Sequence, residues 1–464
     1  MTSIDPDRPS KEREGADPPL PEGGAGIRWK QACSEMIRGG SSRKNVIALI
    51  DQGIVSVANF LTGLIIGRIC TKEQFGLYML GFTVITMATC VQDSLILTPY
   101  TIYSPRLKGT ALARYTASTF LHQFLYSGCI LFLLLVFRGA LWLGFGPPGM
   151  GPVVEALIVV LGFILLRYYA RKVSFAALKM GEALVLDGMV SLLQVCGLFA
   201  LAYFHLLSAS SAYWIVGLAC AAGALPWFLS RRKDFTFRRG ETFSDLRQNV
   251  STGVWILASG LLWTAVISLY PWLLATFHGT ASTGVWAACF GILAFCNPLF
   301  LAMQNSYGPK IAHAFARDGG GDLRRFSLQA TKVFGAAIAP FCVVLLFFGG
   351  DLVAGIYGGK YAGNGAIVSL LALDFLFTAL TFPLSRALFT VGRADIDFKI
   401  NLVMLLCLLS FGIPLTRRFG PMGAAASLLI TDFVCLAFRF AAFSRWVRSD
   451  TERSLLESKP VQAG

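Results

Sequence analysis

Apolar residues in this chain come in repeated windows of roughly 20, separated by short polar breaks. That is the length a helix needs to cross a hydrocarbon core about 30 Å thick. Twelve windows are legible, near 46–66, 77–98, 115–137, 152–170, 183–205, 212–229, 251–274, 284–306, 328–350, 366–390, 399–415 and 421–443. The pattern predicts an all-α, polytopic membrane protein.

The polar residues inside these windows follow the helical period. At about 100° per residue, Asp51, Gln52, Ser56, Asn59, Thr62 and Gly63 share one side of the first span, and Ile54, Val57, Phe60, Leu61, Leu64 and Ile65 share the other. Asp187, Ser191 and Gln194 repeat the pattern in span five, and Asp374, Thr378, Thr381 and Ser385 extend it in span ten. In span twelve Asp432 and Arg439 lie on one face. An ionised side chain at the bilayer centre costs about 2.5 to 3.5 kcal/mol on insertion scales, so these acids should face protein or water. Asp51, Asn59, Asp187, Gln194, Asp374, Thr378 and Asp432 are therefore expected to line a cavity. Their oxygen-rich surroundings suit a coupling proton or sodium ion.

The chain also repeats itself. Phe75-Gly76-Leu77-Tyr78 at the start of span two is echoed by Thr283-Gly284-Val285-Trp286 at span eight, an offset of 208. Arg114-Tyr115 corresponds to Arg325-Phe326 at an offset of 211, and Ala177-Leu178 with Gly181-Glu182-Ala183 to Ala387-Leu388 with Gly392-Arg393-Ala394, whose glycines are also 211 apart. Six spans separate equivalent points, so the halves share one orientation and are related by an axis along the membrane normal. Two parallel six-helix bundles, 45–229 and 251–443, joined by a basic linker 230–250, are expected around a central cavity.

Composition agrees with lipid as the solvent. Mean hydropathy is +0.62, and only 14% of residues are charged, against about a quarter in soluble domains. The net charge of +14 raises nucleic acid as a partner, but such binders gather their basic residues on one surface of a soluble fold. Here they sit between apolar spans, which excludes that class. All of the 40 Lys and Arg except Arg68, Lys72, Arg138, Lys360, Arg417 and Arg418 fall on the side that carries both termini. The positive-inside rule makes that side cytoplasmic, so a bacterial cytoplasmic membrane is expected. Residues 1–44 hold five of the 19 prolines and no apolar stretch long enough for a secretory signal. They read as a disordered cytoplasmic tail, in which Trp29 to Arg38 is suited to lie on the membrane surface. Residues 444–464 read as a second tail.

Sequence signals for chemistry are absent. Gly359-Lys360-Tyr361 lacks the first glycine and the hydroxyl of a phosphate-cradling loop, and Gly144, Gly146 and Gly149 belong to a proline-containing turn between spans. The four histidines are widely separated, and the 11 cysteines form no C-x-x-C pair, so no metal, cofactor or catalytic residue is expected. A membrane-bound polysaccharide polymerase or ligase would need catalytic residues in a substantial outer loop. The longest outer connections, 138–151 and 351–365, are short and glycine-rich.

The run Leu49-Ile50-Asp51-Gln52-Gly53-Ile54, then Asn59-Phe60, Gly67-Arg68 and Glu73-Gln74-Phe75-Gly76-Leu77-Tyr78, resembles the opening of the polysaccharide flippases. These are the O-antigen and exopolysaccharide (Wzx-type) translocases of the multidrug/oligosaccharidyl-lipid/polysaccharide exporter superfamily. The resemblance covers about 45–443. It implies alternating access by two rocking bundles, carrying a polyprenyl-pyrophosphate-linked oligosaccharide to the outer face, with lipid as the surroundings and a monomer as the working unit. It also implies a cationic cavity, for which Arg68, Arg167, Arg386 and Arg439 are the candidates, because a guanidinium binds phosphate oxygens bidentately. The four aspartates on the same faces leave room for a cation-coupled multidrug exporter of that superfamily.

Overall fold

The computed structural model describes residues 40–232, 235 and 239–457, within two units, Met1–Ile47 and Ala48–Gly464. The tail 1–39 with its expected surface helix, Lys233 and Arg238 of the linker, and 458–464 lie outside the described residues. The helices are α1 (Gly40–Ile69), α2 (Lys72–Gln92), α3 (Thr98–Tyr103), α4 (Gly109–Trp142), α5 (Gly151–Ala176), α6 (Met180–Tyr203) and α7 (Ala209–Arg231). Beyond the linker follow α8 (Arg239–His278), α9 (Thr280–Leu293), α10 (Asn297–Tyr357), α11 (Gly365–Thr390), α12 (Ala394–Cys407) and α13 (Ile413–Glu457).

Among the described residues, ten helical stretches are long and apolar enough to cross a membrane, and Thr280–Cys296 is a shorter apolar one. The chain is a multi-pass helical membrane protein. Two of the longest helical runs double back. Phe300 and Phe334 sit with ring centroids 6.2 Å apart, and Tyr307 and Phe326 5.9 Å apart, although 34 residues of straight helix would span about 50 Å. The chain therefore reverses between Tyr307 and Phe326. In α13 the break is at Gly420, whose φ of 58° and ψ of −137° are not helical, followed by Pro421, which cannot donate a backbone hydrogen bond.

Proline also shapes the interior of two other runs. Wide π-turns occupy Asp93–Leu97 and Leu408–Gly412, and Pro99 and Pro414 follow each by two residues. A proline ring clashes with the carbonyl of the preceding turn and leaves it without its N–H, and a wider turn relieves both. Gly253 of α8 packs on the first of these turns, where a Cβ would fall 2.3 Å from the Ser94 carbonyl oxygen.

Two buried apolar clusters account for most of the packing. One is built largely from α8 to α13 and takes in Ile65, Ile66 and Phe75. The other is built from α2, α4, α5 and α7, with Val190 and Ala275 added. The first half meets the second where α2 and α9 begin. A Cβ on Gly76 would fall 1.8 Å from the Thr280 carbonyl oxygen, and one on Gly284 2.0 Å from that of Lys72. Only glycine permits this approach of two backbones. The two glycines at which the expected repeat aligns thus lie in one close approach of α2 and α9.

Candidate functional site

The polar residues picked out by the helical period separate into two clusters. The first joins α1, α5 and α6. Asp51 and Asp187 have fully buried side chains, and arginines on one face of α5 reach both. Arg171 donates to Asp51 Oδ2 at 2.8 Å and to Gln52 at 3.1 Å, while its Nε sits 2.5 Å from Asp187 Oδ2 as an ion pair without hydrogen-bond alignment. Arg167 closes the group with Nε and Nη2 at 2.9 and 2.7 Å from Asp187 Oδ1. Two acids and two guanidiniums cancel, and the cluster holds three helices together. Gln194 is likewise occupied, donating to Thr62 at 2.7 Å, whereas Asn59 is exposed.

The second cluster lines a cavity of about 380 Å³ between α8, α9, α11, α12 and α13, touched by Thr86 of α2. Asp374 and Thr378 enter it from α11 and Asp432 and Arg439 from α13. The carboxyl groups of Asp374 and Asp432 face one another. Thr378 donates to Asp432 Oδ2 at 2.8 Å, and Asp374 Oδ1 is buried with no hydrogen-bond partner. Arg439 Nε donates to Asp397 at 3.2 Å, Asp397 also accepts from Ser385, and the Arg439 charge reaches Asp432 without a hydrogen bond. Asn401, held by Ser259 at 2.9 Å, and the rings of Trp263, Phe290 and Phe375 complete the wall. Among the described residues, no group of three or more His, Cys, Asp or Glu is placed to hold a metal.

The head-group candidates do not converge. Arg167 is buried in its ion pair with Asp187, and Arg439 is paired at the cavity edge. Arg386 is exposed and lies 5.0 Å over the Phe382 ring. Arg68 sits at the seam between the halves, donating to the carbonyls of Gly355 and Ile356 at 3.2 and 3.0 Å. These close the C-terminus of α10, where unpaired carbonyls attract a cation. Lys360 returns the contact, donating to the carbonyls of Arg68, at 3.1 Å, and of Cys70 at the end of α1. Each half caps a helix of the other. Arg171 had no place among the sequence candidates, although its i, i+4 spacing from Arg167 was a readable signal.

Residues 42–314 match the family described as "Polysaccharide biosynthesis protein". The chain is 21% identical over 221 residues to the capsular polysaccharide biosynthesis protein CapF of Staphylococcus aureus, covering 47% of this chain and 55% of that protein. It is 25% identical over 202 residues to the probable flippase AglR of Haloferax volcanii, covering 42% of each. It thus spans about half the length of these relatives. Its fold is similar to an inward-facing multidrug resistance MATE family transporter of the MOP superfamily, with a TM-score of 0.72 at 13% identity over 86% of this chain and 96% of the other. It is similar as well to the lipid II flippase MurJ in an inward closed conformation, with a TM-score of 0.67 at 13% identity over 86% and 87%.

Proposed function

Because the chain belongs to the polysaccharide biosynthesis protein family, we propose that it is a cation-coupled exporter working by alternating access, with twelve spans in two parallel six-helix bundles. The observation that carries the coupling is the Asp374–Asp432 pair in the cavity wall. Two adjacent carboxylates in a poorly hydrated wall cannot both remain charged without a cation between them. A proton or sodium ion taken up there and released on the other side would drive the cycle. The seam of Arg68, Lys360, Gly76 and Gly284 keeps one face shut, and the positive-inside rule makes that face the outer one.

Two cargoes fit this machine. Family membership and the flippase relative favour a polyprenyl-pyrophosphate-linked oligosaccharide, moved outward for surface polysaccharide assembly as a Wzx-type flippase would move it. The cavity and the solved structures back the second cargo, an organic cation of the multidrug type, more strongly. Acids and aromatic rings line the wall, and the arginines expected to hold a pyrophosphate are engaged at the seam or in ion pairs, apart from the exposed Arg386.

A deletion strain separates the two. A flippase leaves lipid-linked oligosaccharide on the inner leaflet and unchanged susceptibility to cationic dyes. A multidrug exporter leaves surface polysaccharide intact and raises dye sensitivity. The topology is tested by labelling intact cells that carry Ser244→Cys or Gly279→Cys without native thiols. Gly279→Cys reacts and Ser244→Cys does not; reaction of Ser244→Cys from outside rules out the twelve-span arrangement.

A further inference from the structure

Outside the carboxylate clusters, a groove of about 760 Å³ lies between α12 and the stretch of α13 from Phe438 to Ser449. Its floor is apolar, with Ile396, Val403 and Phe438, and Phe438 is 54% exposed. Its rim is cationic, with Arg393, Lys399 and Arg445. Asp395 holds two of these in place, at 3.0 Å from Arg393 Nε and 3.0 Å from Lys399 Nζ, and the four charges together leave an excess of two positive. Trp446 lines the same groove, and tryptophan beside basic residues marks the boundary between hydrocarbon and water.

We propose that this groove binds an anionic phospholipid from the leaflet on the side of the termini, its phosphate between Arg393, Lys399 and Arg445 and an acyl chain along Phe438 and Val403. The charge complementarity decides the occupant. An apolar floor alone would accept any lipid tail, but a preorganised cationic rim at headgroup depth selects a net negative headgroup. Neither the coupling cation nor an organic-cation cargo fits a positive rim. Occupancy reaches the cavity mechanically, because α12 separates the two: Ile400 lines both, and Asn401 faces the cavity. A bound lipid therefore braces from outside the α12 wall of the cavity that holds Asp374.

Native mass spectrometry of the detergent-solubilised full chain tests this, with phosphatidylglycerol and phosphatidylethanolamine titrated separately. The expected result is preferential retention of phosphatidylglycerol, weakened about fivefold for each rim cation removed. Lys399→Gln is the cleanest single change, since that side chain is 70% exposed and its loss does not threaten folding. Arg393→Lys with Arg445→Lys keeps most of the affinity, and Arg324→Gln with Arg325→Gln, exposed cations outside the groove, changes nothing. Equal binding of the two lipids overturns the proposal, as does an equal loss in the Arg324/Arg325 variant. Displacement of phosphatidylglycerol by an equimolar polyprenyl phosphate also overturns it, because the groove would then belong to the lipid carrier.

Discussion

The two carboxylate clusters use the same residue type on membrane helices and reach opposite ends. Asp51 and Asp187 are fully buried and matched by Arg171 and Arg167 from a neighbouring helix. Asp374 and Asp432 are neighbours in one cavity wall, with the Thr378 hydroxyl donating to Asp432 and Arg439 hydrogen-bonded to Asp397. A tethered guanidinium cannot leave, so the first cluster is a fixed brace. In the second, the arginine that shares the cavity wall makes its hydrogen bond to Asp397 instead, and the proposed coupling rests on that difference.

The contrast breaks most visibly at Arg171. Removing one partner from a buried ion pair costs about 3 to 5 kcal/mol, because the remaining charge stays buried and unmatched. Arg171→Ala should therefore sharply lower the yield of folded protein in the membrane and the melting temperature in detergent. A variant that melts like the native protein would show that water reaches these acids and that the brace is not one.

A smaller loss is expected for Asp51→Asn, which keeps the shape and removes one charge. Arg171 retains Asp187 and Gln52, so the cost is about 1.5 to 3 kcal/mol, the value of a hydrogen bond to a charged group. The melting temperature should fall while dependence of transport on the ion gradient persists. Loss of that dependence with unchanged stability would move the coupling site into the first half.

The smallest effect on stability, and the largest on coupling, is expected at the other cluster. Asp374→Asn or Asp432→Asn removes repulsion between neighbouring carboxylates, so melting should stay level or rise slightly. Gradient-driven uptake into vesicles should drop at least tenfold, since the retained amide binds no proton. If stability falls as far as in Arg171→Ala, the pair is structural and the contrast disappears.

The membrane class and the faces that carry polar residues were legible because lipid punishes misplaced charge in every window of sequence, with no need of tertiary contacts. Asp374, Thr378, Asp432 and Arg439 met in one cavity because each followed the helical period on its own span. The expectation of a single central cavity lined by all the acids could not distinguish two clusters. Arg167 and Arg171 could equally have been cytoplasmic anchors, and nothing local says that α5 lays them against Asp51 and Asp187. The helix ends also ran past the apolar windows: α4 spans Gly109–Trp142, and α13 continues to Glu457, since a helix does not stop where the hydrocarbon does.

By itself, then, the sequence determined the helical, membrane-spanning class and which face of four spans carries the polar residues. Those follow from solvation and the period of the helix, which are properties of one segment at a time. Tertiary structure alone decided which charges neutralise one another. It also decided that Arg68 caps α10 rather than lining a cavity, and that Gly76 and Gly284 are the seam. Each of these depends on two segments distant in the chain coming within about 3 Å, a distance that no single-segment pattern encodes.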